Sequence, residues 1–127
     1  MFKTSTALAA IALGLLGSLP IESAFAEGVR IKCEKKATRS SVSVDGRDVQ
    51  PGNYTSVVFS GDNRAAAPLT PSIGDEVEFD YDSNPNDIAT GETAISRDFI
   101  QGGQVTAQIV DEAGYTVVQG TARCRVR

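Results

Sequence analysis

The chain has 127 residues, of which 12 are Lys or Arg, 16 are Asp or Glu and none is His. That length suits one domain rather than two, and a net charge of −4 argues against a nucleic-acid partner, whose phosphates select basic surfaces. With no His, Met1 as the only Met and two cysteines, a paired Cys couple leaves no cupredoxin copper site, His-ligated haem, Cys/His zinc site or Ser-His or Cys-His nucleophile pair.

Residues Met1–Ala26 carry the three-part pattern of a cleavable signal peptide. Lys3 supplies the positive start, and Ala7–Leu19 is apolar apart from Ser18 and two glycines. Pro20 breaks any helix, and Ala24-Phe25-Ala26 places small residues at −3 and −1 of a cut before Glu27. An apolar run of about 13 residues is too short for a hydrocarbon core that takes about 20. The expectation is therefore a removed leader, 1–26, and one domain over 27–127 that works in a periplasm or outside the cell and does not span a membrane.

Beyond the leader the dominant period is two, the signature of half-buried strands. Val29, Ile31 and Cys33 alternate with Arg30, Lys32 and Glu34. Further strands are expected over about Ser40–Val44 and Tyr54–Ser60, with turns at Asp45-Gly46, Pro51-Gly52-Asn53 and Gly61-Asp62-Asn63. The Ala65–Pro71 stretch reads as a connection between two halves. Val77, Phe79 and Tyr81 then alternate with Glu76, Glu78, Asp80 and Asp82. Asp87–Asp98 is expected to hold a short turn of helix or a crossing strand. Gln104–Val110, Tyr115–Gln119 and Ala122–Val126 complete the set, with Gly120 marking a bulge.

Cys33 falls in the first alternating strand and Cys124 in the last, both on the apolar phase. Exported compartments are oxidising, so the two are expected to pair as a structural disulfide; a redox centre would favour CxxC spacing. Some seven short strands in about 100 residues, separated by turns, predict an all-β fold: a single antiparallel immunoglobulin-like β-sandwich whose disulfide joins first and last strands.

Asp80-Tyr81-Asp82-Ser83-Asn84 matches the first, third and fifth ligand positions of an EF-hand loop. The match ends there, because the sixth position, a turning Gly in that loop, is Pro85, and the twelfth, a bidentate Glu, is Gly91. An acidic strand end with Asn and Asp capping their own backbone accounts for the run, and no metal or cofactor is expected.

Charge placement carries more information. Arg30 and Lys32 stand near the start of the domain and Arg123, Arg125 and Arg127 at its end, whereas Asp75–Asp98 holds eight acids and one base. A disulfide would gather the basic residues into one region and leave another acidic, a surface suited to a charged protein partner or to self-association. The expected function is a non-enzymatic exported module acting by binding or assembly. An inhibitor or ligand-binding protein directed at an extracytoplasmic enzyme, inserting the Ser60–Arg64 turn, is the alternative.

Overall fold

The period-two segments become strands of two sheets in the structure, a computed structural model that describes residues 25–26 and 28–127. The signal-peptide reading lies outside the described residues except for Phe25 and Ala26. In chain order the elements are β1 (Phe25–Ala26), β2 (Val29–Lys36), β3 (Arg39–Gly46), β4 (Asn53–Ser60), β5 (Asn63–Ala66) and β6 (Thr70–Pro71). Then follow β7 (Val77–Asp82), α1 (Pro85–Ala89), β8 (Thr93–Ala94), β9 (Gln104–Asp111), β10 (Thr116–Arg123) and β11 (Arg125–Val126). The first sheet runs β1-β2-β3-β7-β8, with β11 also on β2, and the second runs β10-β9-β4-β5, with β6 also on β4.

One apolar core draws on both sheets. The inward phase of the first sheet supplies Val29, Ile31, Val42, Val44, Val77, Phe79 and Tyr81, and the second supplies Tyr54, Val58, Val105, Ala107, Ile109 and Ala122. Buried polar groups on the same phase are all bonded, as burial demands. Tyr81 Oη donates to the Ser56 carbonyl at 2.9 Å and lies 2.7 Å from Ser56 Oγ, tying the two sheets together. Burial pushes the Tyr81 phenol up to about 12. Ser60 Oγ donates to the Gln104 carbonyl at 2.6 Å and accepts from the Gln101 N–H at 2.7 Å.

The Cys33–Cys124 disulfide forms, with 91 residues of sequence separation. Cys124 stands between β10 and β11 rather than inside a strand, and its N–H donates to the Gly103 carbonyl. Among the described residues seven strands have four residues or more, and the long ones pair antiparallel as expected, but the first sheet is mixed. β11 pairs with β2 in parallel, because the disulfide holds the chain beside Cys33 as it runs on in the direction of β2. β8 pairs with β7 in parallel after the crossover through α1, the usual route to a parallel pair.

Three local expectations are corrected. Asp45-Gly46 is not a turn: Gly46 ends β3 between Val29 and Val77, and a Cβ there would stand 2.5 Å from Ile109 Cδ1 of the other sheet. Close approach across the core, not a bend, requires that glycine. Gly120 is no bulge, since it pairs in register with Ala107, and the irregularity falls instead between Thr116 and Val118. Ala65 and Ala66 are not connection but the end of β5, hydrogen-bonded back onto β4. The uncertain stretch after Asp82 holds both a helical turn and a short strand, α1 and β8.

Candidate interaction face

Alternation sends the other phase of β2, β3 and β7 to the outside of the first sheet, and register sets which side chains sit abreast. Arg30 lies opposite Asp45, which lies opposite Glu78. In the next outward row Lys32, Ser43 and Asp80 align, and in the third Glu34, Ser41 and Asp82. With neighbouring strands about 4.8 Å apart, the basic row on β2 and the acidic row on β7 are separated by about 10 Å. Asp45, Ser43 and Ser41 of β3 stand between them. The result is an open groove of about 880 Å³, rimmed on the β2 side by Arg123, Arg125 and Arg127 and on the β7 side by Glu92 and Arg39.

The acidic end is built by local chemistry. Asp82 is buried, with 3% exposure, at the end of β7. Arg39 grips it with two hydrogen bonds, Nε to Oδ1 at 2.9 Å and Nη2 to Oδ2 at 2.5 Å, and also reaches Asp87 at 3.1 Å. Asp82 Oδ1 accepts from the Asn84 N–H, and Asn84 in turn caps α1 by accepting from the Asn86 N–H. Burial alone would raise the Asp82 carboxyl; the Arg39 bonds and the backbone N–H donors outweigh it and hold the group below the usual Asp range. Carboxylate oxygens of Asp82, Asp87 and Glu92 lie within 4.8 Å of one another. Arg39 bridges Asp82 and Asp87 and forms no ion pair with Glu92, and Asn84 caps α1 beside them.

Further along the face, compensation stops. Among the described residues, no ion pair joins β2 to β7; the pairs are Lys35–Asp98, Arg39 with Asp82 and Asp87, and Arg127–Glu34. The Glu78 carboxyl is raised by the charges of Asp80 first and Asp45 second. Glu92 is raised by burial and then by Asp80, Asp82 and Asp87. Glu34, by contrast, is lowered by the hydrogen bond from Arg127.

Of the five basic residues singled out in the sequence, Lys32, Arg123, Arg125 and Arg127 line this one groove. Arg30 lies one outward row beyond its lining, and Arg127 is committed to Glu34 at 2.6 Å. The basic and acidic groups meet on one sheet face, with Arg30 and Lys32 on β2 and Glu78 and Asp80 on β7. Arg39, a further basic residue near the start of the domain, pairs with Asp82. The outer phase of the second sheet differs, with Thr106 bonded to Thr121 and Gln108 to Gln119. The Ser60–Arg64 turn is tied at its base by Ser60 and by Asn63 Nδ2, which donates to the Phe99 carbonyl at 2.8 Å.

No helix among the described residues is long and apolar enough to cross a membrane. No protein-family model, curated protein or solved structure matches this chain.

Proposed function

We propose that the chain is an exported, non-enzymatic module of immunoglobulin-like β-sandwich type, cut after Ala26, that acts by binding or assembly through the outer face of its first sheet. The observation carrying this reading is that Arg30 and Lys32 on β2 and Glu78 and Asp80 on β7 form no ion pairs among the described residues and flank the strand that carries Ser41 and Ser43. Exposed charges that serve only solubility gain from being interspersed. Here like charges are stacked in rows, at a cost visible in the raised Glu78 carboxyl, and an outside partner of complementary charge relieves that cost. The sandwich reading is supported by one core shared between two sheets and by the Tyr81–Ser56 tie. Export is supported by the leader pattern and by a disulfide, which persists in oxidising compartments.

The test joins both parts of the proposal. A tagged full-length chain expressed in a bacterium should be recovered outside the cytoplasm with Glu27 as its first residue. A photo-crosslinking amino acid at position 43, within the groove, should give adducts that the same group at position 106 on the second sheet does not. Retention of Met1 in the cytoplasm overturns the export reading. Absence of any adduct specific to position 43 overturns the binding reading.

A further inference from the structure

We propose that the occupant of this face is a second copy of the same chain, related by a two-fold axis parallel to β3; the inference rests on reading the face as a binding surface. The argument is geometric. With β3 in the middle, β2 lies on one side and β7 on the other. Turning a copy over about an axis along β3 exchanges the sides and keeps each residue at its own level. Arg30 then meets Glu78 of the second copy and Lys32 meets Asp80, and each contact occurs twice, as an isologous interface requires. An axis running across the strands would set β2 on β2 and β7 on β7, like charge on like, so charge selects the first arrangement.

The rims obey the same rule. Arg123 and Arg125 flank β2 and Glu92 flanks β7, so each rim closes on its opposite in the other copy. Beyond the Arg39–Asp82 and Arg127–Glu34 pairs, four cations (Arg30, Lys32, Arg123, Arg125) and four anions (Asp45, Glu78, Asp80, Glu92) leave the face neutral within a net acidic chain. Ser41 and Ser43 lie near the axis, short enough for the sheets to approach to about 10 Å, the usual spacing of stacked sheets. The mismatches are Asp45 and Arg39, which each meet their own symmetry mates on the axis, and Glu34, which meets Asp82; Arg127 and Arg39 already pair those last two acids within each copy.

Size sets the expected strength. Three strands about 4.8 Å apart by six residues of about 3.4 Å make a face of roughly 300 Å² before the rims are added. A stable complex takes about 800 Å² per partner. The dimer is therefore weak, held by exposed charge, and dissolves as salt shortens the reach of those charges below about 8 Å.

Sedimentation equilibrium of the oxidised protein should show monomer and dimer at low ionic strength and monomer alone at high. Two double variants, Arg30→Glu with Lys32→Glu and Glu78→Lys with Asp80→Lys, should each be monomeric by itself. Mixed in equal amounts they should form a heterodimer, and Asp45→Asn should tighten the wild-type dimer several-fold. All these positions lie on the outer phase, so unchanged melting curves will show that the core is intact. A second measurement needs no variant. Carbodiimide coupling of mixed ¹⁴N and ¹⁵N protein at low salt should join Lys32 of one isotope to Asp80 of the other. A monomer at every salt and concentration overturns the proposal, as does a dimer that survives both double reversals or a mixture that stays monomeric. If the protein is monomeric yet position 43 still cross-links to a different molecule, the second copy is overturned as occupant and the binding reading stands.

Discussion

Removing the Cys33–Cys124 bond should cost as much as the largest single truncations in the core. The bond closes 91 residues of sequence, and it fastens β2 of the first sheet to the end of β10 in the second. Without it, the same junction retains the Cys124 N–H bond to Gly103 and the short β11–β2 pairing. For a loop of that length the chain-entropy relation removes about 15 cal/mol/K from the unfolded ensemble, or about 4.6 kcal/mol at 25 °C. Domains of this size have only about 5–15 kcal/mol of net stability, and each kcal/mol moves the melting temperature by about 4–8 °C. The expected fall on reduction is therefore about 20 °C or more. Circular-dichroism melts with and without reductant, and of the Cys33→Ala/Cys124→Ala variant, measure it. Both sulfurs are only partly buried, so the alanines leave little cavity and the two experiments should agree. A fall of under about 5 °C, or free thiols on native protein, refutes the reasoning, because either result means the bond does not constrain the unfolded chain as its loop length demands.

Asp82→Asn should destabilise by about 2–3 kcal/mol, under the 3–5 of a fully buried pair because Arg39 keeps 35% of its side chain in water. The Asp82 carboxyl is held low in the folded state, so its contribution is present above the unfolded value near pH 4 and lost as pH falls through the folded one. Melting temperatures between about pH 2 and 7 should fall more steeply for wild type than for Asp82→Asn, and parallel curves would refute the assignment. Glu78 has the opposite sign: its raised carboxyl destabilises the domain at neutral pH and is relieved on protonation. Glu78→Gln should accordingly gain about 0.2–0.5 kcal/mol at pH 7 by urea unfolding, and that gain should vanish once the carboxyl is protonated. Gly46→Ala should cost about 1–3 kcal/mol in the same assay, since the new methyl must push Ile109 or Val77 aside.

Much of the fold was legible because period-two alternation is a strictly local signal. Val77–Asp82 reads as a strand with no knowledge of its neighbours, and the disulfide follows from two cysteines and the expectation of export. Glycine was the least readable residue. Gly46 looks like turn chemistry beside Asp45, but its reason lies across the core at Ile109, a contact 63 positions away in sequence. The two parallel pairs were hidden for a related cause: two-residue strands carry no period, and their direction is set by the disulfide and by the α1 crossover. At the candidate face, the charged residues were visible but their arrangement was not. Which strands are adjacent, and in what register, decides that Arg30 shares a row with Glu78. Arg39 illustrates the same gap, since nothing in its local sequence points to Asp82, 43 residues on.

The central claim is that the outer face of β2, β3 and β7 binds a second copy of the same chain. A concentration series of amide nuclear magnetic resonance spectra of the ¹⁵N-labelled oxidised protein at low salt tests it most directly. Amides of Arg30, Lys32, Ser43, Glu78 and Asp80 should shift together as concentration rises and return when salt is added, while Thr106, Gln108, Gln119 and Thr121 stay in place. Shifts confined to those four residues of the second sheet, or none at any concentration, would contradict it.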